Sequence, residues 1–184
     1  MTKVIGILLA GGQSRRMGTD KAELIIDGMT QLQRTEQLLL DAGCDTVFIS
    51  RNKPQNIADI YFNQGPLAGI HAVLSQLNTV HKCLALVMPI DMPLLHKEPL
   101  IELIGQATHS GLNSYFKDCY LPCALHIDNN TAAKLKQRLQ QQLRSVKGFL
   151  ADSDVLVLTT DKQQLINANT PNEWQRACTL HCTH

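Results

Sequence analysis

Gly11, Gly12, Arg15, Arg16, Gly18 and Lys21 crowd the stretch that follows the apolar run Val4–Leu9. Two adjacent glycines after a buried strand let the backbone come close to a ligand and admit positive φ. Successive amide N–H groups in such a turn form an anion-binding concavity. Arg15, Arg16 and Lys21 add positive charge, so the loop suits a polyphosphate. Spacing separates it from the two commonest phosphate loops. In G-x-x-x-x-G-K-[ST] the lysine follows the second glycine directly; here Gly12 and Gly18 are too far apart and Lys21 lies well past Gly18. Gly11-Gly12 does not supply G-x-G-x-x-G.

Three further stretches carry candidate chemistry. Asp91, in Met88-Pro89-Ile90-Asp91-Met92-Pro93, is a single carboxylate held between prolines just past a buried strand. One carboxylate is what a Mg²⁺ shared with phosphates and water requires. Gly65-Pro66-Leu67-Ala68-Gly69 opens a helix whose first N–H groups and positive dipole end are free for an anion. Taken alone it reads more readily as a capped helix with a glycine for packing. Asn167 and Asn169 alternate, so both amides face one side of an extended segment. Thr170 and Glu173 after them form a capping box with Pro171 at the first helical position, which accounts for those three structurally.

The pattern L-A-G-G-x-S-x-R-M-G-x-D-K, from Leu9 to Lys21, resembles the signature of the MobA-like nucleotidyltransferases, most closely the molybdenum cofactor guanylyltransferases. G-P-L-A-G at 65–69, D-x-P at 91–93 and N-x-N-T-P at 167–171 extend the resemblance from end to end. It implies transfer of GMP from GTP to the terminal phosphate of molybdenum-molybdopterin, giving the guanine dinucleotide cofactor and pyrophosphate. It implies catalytic roles for Arg16, Lys21 and Asp91, with Asp91 as the Mg²⁺ ligand. Nucleotide-binding positions carried over are Leu9, Ala10, Gly11, Gly12, Lys21, Ser50, Asp59, Gly65, Pro66, Leu67 and Asp91. Ser50 stands where the family often has asparagine, and Asp59 matches its upstream acidic residue with a spacing one residue different. Asn167 and Asn169 fall on the pterin side. Implied partners are GTP, molybdopterin and a protein that delivers molybdopterin. Two alternatives stay open: a cytidylyltransferase of the same fold, and a nucleotide-binding accessory protein without turnover.

These residues need a scaffold that brings strand ends together. Apolar runs at Val4–Leu9, Thr46–Ser50 and Lys82–Met88 read as buried strands, the last covered on both faces. Leu24-Ile25-Ile26 is a brief strand closed by the Asp27-Gly28 turn. Helices are expected from Thr30 to Gly43, from Gly65 with Leu67, Ile70, Val73, Leu74 and Leu77 on one face, over Leu100–Ala107, and over 130–150 with a break near Gln141-Gln142. Tyr115–Ile127 reads as a strand or hairpin antiparallel to the rest, and Val155–Leu158 as a late strand. Alternation of this kind predicts one α/β domain over residues 1–184: three layers, a mostly parallel sheet with helices on both faces; the resemblance implies that it is a Rossmann-like nucleotidyltransferase fold. Ligands of such sheets lie outside the carboxyl ends of the strands, where strand order reverses.

The net charge of +1 argues against a nucleic-acid partner. No apolar run reaches the length of a membrane span, and Met1-Thr2-Lys3 lacks a signal-peptide layout, so the expected location is the cytoplasm. The six cysteines are expected to serve as small hydrophobes in a reducing compartment. Cys119/Cys123 and Cys178/Cys182, the latter with His181 and His184, offer a rival metal-site reading. Against it, structural zinc pairs usually have shorter spacing.

Overall fold

The structure, a computed structural model, describes residues 2–12, 17–77 and 82–181. From the N-terminus, β1 (Val4–Leu9) leads through a 3-10 turn (Lys21–Glu23) into a small hairpin of β2 (Ile25–Ile26) and β3 (Met29–Thr30). Asp27 and Gly28 both adopt positive φ, 51° and 79°, as a two-residue hairpin turn demands. Helix α1 (Gln31–Asp41) is opened by Thr30, whose hydroxyl accepts from Gln33 N while Gln33 returns its side-chain oxygen to Thr30 N. It ends at Gly43, φ 105°. There follow β4 (Thr46–Ser50), α2 (Pro66–Gln76), β5 (Cys83–Pro89), α3 (Lys97–Ser110), β6 (Asn113–Phe116) and β7 (Cys119–Ile127). The chain closes with α4 (Thr131–Gln140), α5 (Val146–Leu150), β8 (Val155–Leu158) and α6 (Pro171–His181).

The main sheet has six strands in the order β4-β1-β5-β7-β6-β8. β4, β1 and β5 are parallel; β7 runs against β5 and β6, and β8 is parallel to β6. The expected mostly parallel sheet is therefore present, with its antiparallel member at the 115–127 hairpin.

Period-two alternation sorts the strand residues between two cores. Leu84, Leu86 and Met88 of β5 join Leu8, Leu39 of α1 and Leu100 and Leu103 of α3 on one face. Cys83, Ala85 and Val87 join Ile5, Ile7, the α2 leucines, Leu135 and Leu139 of α4 and Leu150 of α5 on the other. Helix α2 departs from the one-sided pattern expected of it. All residues from Leu67 to Leu74 are buried, because α2 is packed between the sheet and α4 and so must be apolar all round. Helix α3 starts earlier and ends later than Leu100–Ala107; Gly111 stops it in the left-handed conformation. The expected interruption near Gln142 is real: Gln142 has φ 60°, and Ser145 caps the separate helix α5.

Gly69 sits where α2 crosses the ends of β1 and β4. A Cβ there would lie 2.6 Å from Ser50 Oγ and 2.8 Å from Leu9 Cδ2. Gly69→Ala is expected to cost about 1–3 kcal/mol from overpacking, partly offset by about 1 kcal/mol of better helix propensity. Calorimetry should show a lowered Tm, by about 2–4 °C per net kcal/mol for a chain this size. A Tm at or above the parent's would mean that Ser50 and Leu9 yield freely. Among the described residues no helix is long and apolar enough to cross a membrane.

Candidate nucleotide site

β1 lies between β4 and β5, so strand order reverses at its carboxyl end. Leu9 is in register with Ser50 on one side and Pro89 on the other. Two loop bonds continue the alignment: Ala10 N donates to Ser50 O at 2.9 Å and Ile90 N to Leu9 O at 3.1 Å. The three strand ends thus open at one level, the location expected for a ligand in this architecture.

A cavity of about 600 Å³ occupies that position. Leu9, Gly11, Gly12, Ser50, Asp59, Gly65 and Pro66, all candidates from sequence, line it. Two other candidates stand behind the wall. Ala10 is buried in the core on the α1 side, and Leu67 in the core on the α2 side, where the helix must seal against the sheet. Asn52, Phe62, Asn63, Pro89 and Leu121 also line the cavity. Of these, Pro89 is one of the prolines that flank Asp91 in sequence, and Asn52 lies two residues on from Ser50, so that in extended chain both point the same way; Phe62, Asn63 and Leu121 carry no local signal.

Asp59 is gripped from the strand end. Its carboxylate accepts from Ser50 Oγ at 3.3 Å and Asn52 Nδ2 at 3.4 Å, and Asn52 Oδ1 accepts from Asp59 N at 2.8 Å. Burial pushes the Asp59 carboxyl above its usual range, against those two hydrogen bonds. Gly11 faces it: a Cβ on Gly11 would stand 3.6 Å from Asp59 Oδ2.

A second polar group lies two residues past Pro89. Lys21 Nζ stands 3.4 Å from Asp91 Oδ2 and donates to Asn169 Oδ1 at 2.6 Å. The pieces come from residues 70 and 148 apart in sequence. Local chemistry explains how each is presented. Asp20 caps the 3-10 turn that carries Lys21, accepting from Ala22 N at 3.1 Å. The backbone of Asp91 accepts from Ala168 N at 2.7 Å, and Ala168 is buried with Met17, Ile26 and Trp174. Glu173 takes the N–H groups of Asn169 and Thr170 at 2.8 and 2.9 Å, completing the capping box. Those backbone bonds hold the Glu173 carboxyl below its usual range. Asn167 is exposed, next to the buried Ala168. Arg16 lies outside the described residues, as do Cys182 and His184; Cys119 donates to Leu121 O and Cys123 is core.

Asp91 Oδ1 is buried and has no hydrogen-bond partner among the described residues. An orphaned carboxylate oxygen is costly, and a hard cation is a fitting occupant for it. No three His, Cys, Asp or Glu side chains converge among the described residues as a protein-only metal cage. A lone carboxylate oxygen of this kind could hold a Mg²⁺ that keeps waters and takes phosphate oxygens.

Nearby, Arg51 is buried and reaches two carboxylates of the Lys21 turn, Asp20 at 2.8 Å and Glu23 at 2.6 Å. Burial acts to raise the Asp20 pKa, but hydrogen bonds from Arg51 and Lys53 outweigh it and hold Asp20 at about 2.

A family model described as a MobA-like NTP transferase domain matches residues 6–153. The chain belongs to the MobA-like NTP transferase family. A molybdenum cofactor guanylyltransferase from Xanthomonas euvesicatoria pv. vesicatoria is 34% identical over 178 residues, 93% of this chain and 92% of the relative. A probable molybdenum cofactor guanylyltransferase from Opitutus terrae is 33% identical over 156 residues, 79% and 77% of the two chains. Among solved structures, molybdopterin-guanine dinucleotide biosynthesis protein A from Archaeoglobus fulgidus superposes with a TM-score of 0.76 at 22% identity, covering 98% of this chain and all of that one. That last likeness speaks to fold: this MobA-like chain has the nucleotidyltransferase architecture its strand order displays.

Proposed function

We propose that this MobA-like protein transfers GMP from GTP to the terminal phosphate of molybdenum-molybdopterin, releasing pyrophosphate and forming molybdopterin guanine dinucleotide. The observation that carries the reading is the convergence of Lys21 with Asp91, two residues past Pro89, which lines the cavity of about 600 Å³ at the strand-order reversal. The names of the Xanthomonas and Opitutus relatives supply the acceptor.

The acceptor phosphate is already ionised, so the attack on the α-phosphorus of GTP needs no strong general base. Catalysis then rests on positioning and on neutralising charge. Gly11 and Gly12 let the backbone approach the phosphates. Lys21 offsets negative charge that grows on the leaving pyrophosphate, and Arg16 shares that task. Asp91 would hold Mg²⁺, which when bound supplies a divalent charge to the triphosphate. Asn169 orients the Lys21 ammonium. With Asn167, it belongs to the N-x-N-T-P segment that the family resemblance puts on the pterin side.

Asp59 favours guanine over cytosine. Guanine presents two adjacent N–H donors that a carboxylate accepts together, and charged hydrogen bonds are the strong ones. Cytosine would turn its N3 lone pair toward the same carboxylate. Asp59→Asn is expected to lower kcat/KM for GTP by about 10–100-fold, the worth of one charged hydrogen bond or slightly more, and to narrow the preference over CTP. Steady-state rates with both triphosphates check this. GTP affinity is also expected to weaken on acidification at a pH above the ordinary carboxylate range, because burial raises the Asp59 pKa and the neutral acid loses its acceptor role.

The deciding experiment for the function is pyrophosphate release from the purified chain with Mg²⁺, molybdopterin and either GTP or CTP. Release with GTP supports the reading. Preference for CTP would make the chain a cytidylyltransferase, and nucleotide binding without release would make it an accessory protein.

A further inference from the structure

Among the described residues Arg51 is the only Lys, Arg, Asp or Glu that is buried, at 6% exposure. Its position ties together two halves of the site that come from different parts of the chain. On one side, Nη2 reaches Asp20 Oδ2 at 2.8 Å and Glu23 Oε1 at 2.6 Å. These carboxylates bracket Lys21 in sequence, one residue before it and two after it. On the other side, Arg51 directly follows Ser50, whose hydroxyl reaches Asp59. Arg51 N donates to Ile57 O and Ile57 N to Ile49 O, both at 2.9 Å, so the loop leading to Asp59 is sewn to the same strand end.

We infer that Arg51 is a positioning residue that sets where the Lys21 ammonium stands relative to the base subsite. The inference rests on the nucleotide reading of the site. A planar guanidinium can satisfy two carboxylates at once, and it is weakly hydrated enough to be buried. Stability alone is a poor reason for it here: a buried ion pair replaced whole by apolar residues costs little or gives a gain, and although Met at 51 would remove one partner only, Asp20 and Glu23 are partly exposed and would be hydrated without it. What an apolar residue cannot do is hold the turn. Asp20 and Glu23 would keep Lys53, 2.9 and 3.8 Å away, but that lysine is half exposed and so a weaker tether than a buried guanidinium.

The test is Arg51→Met, with Arg51→Lys as the conservative variant. Guanylyl transfer to molybdopterin and affinity for GMP are measured side by side with Tm. GMP carries the base but no leaving pyrophosphate. In Arg51→Met, kcat is expected to fall by about 10–100-fold, the size of an ångström-scale misplacement, while GMP affinity and Tm stay near the parent's. Arg51→Lys is expected to recover part of the lost kcat. Should Arg51→Met fail to fold, Glu23→Gln, at an exposed residue, is expected to lower kcat in the same direction with Tm unchanged. Unchanged kcat in the folded variants overturns the inference. So does a loss of kcat matched by equal losses of GMP affinity and Tm. A parent chain that binds no guanine nucleotide overturns the reading of the site itself and this role with it.

Discussion

Asp91→Asn is expected to lower kcat for guanylyl transfer by about 10²–10³-fold, by analogy with removing one preorganised charge contact from an active site. The carboxylate has two separate duties. Oδ2 lies 3.4 Å from Lys21 Nζ. Oδ1 is buried without a partner among the described residues, and under the proposed function it is the oxygen offered to Mg²⁺. An amide keeps the shape and one acceptor but removes the charge that a hard cation requires. The backbone bond from Ala168 N to Asp91 O does not depend on the side chain, so the 167–170 segment should stay in place. The melt should remain cooperative, and the lost rate should be partly recovered at higher Mg²⁺. Initial rates of pyrophosphate release across a Mg²⁺ titration, with calorimetry alongside, check all three. A near-normal rate at ordinary Mg²⁺ would remove Asp91 from the mechanism.

Lys21→Met should produce a loss of similar size, about 10²–10³-fold, again on the scale of a lost charge contact. Methionine retains the unbranched stem and removes the ammonium. Charge accumulates on pyrophosphate as it leaves, so the contact is stronger in the transition state than with bound GTP. The effect should fall on kcat more than on KM. The Asn169 segment keeps its own anchors at Glu173 and Asp91 after the Lys21 bond is gone, which separates loss of chemistry from loss of structure. Combining the two substitutions gives a sharper result. Lys21 and Asp91 touch, so their effects should not add; the double variant should be little slower than either single one. Full additivity would mean that the two act on separate steps. A Lys21→Met variant with normal kcat and raised KM would reduce the lysine to a simple anchor for the triphosphate.

Most of the framework could be read before any strand was paired. The Gly11-Gly12 loop, the Asp27-Gly28 turn, the Thr30 cap, the α4–α5 break and the Thr170–Glu173 capping box all depend on residues within a few positions of one another. Backbone sterics and short-range hydrogen bonds settle such features whatever surrounds them. The unbroken apolar run of Cys83–Met88 likewise announced a strand covered on both faces, because successive side chains of a strand point to opposite faces and here both sets are apolar.

Tertiary structure decided what meets what. Nothing within the first loop says that Lys21 will find an aspartate 70 residues on or an asparagine 148 residues on; apart from family resemblance, that follows only once β1 is placed between β4 and β5. The same placement put Leu67 and Ala10 into the cores behind the cavity, left Asn167 exposed while Asn169 turned to the lysine, and brought buried Arg51 against Asp20 and Glu23. The division has one cause. Turns, caps and pleats are closed by neighbours along the chain, whereas strand order is chosen by how the whole sheet buries its two faces, and a site built across three strand ends inherits its geometry from that choice.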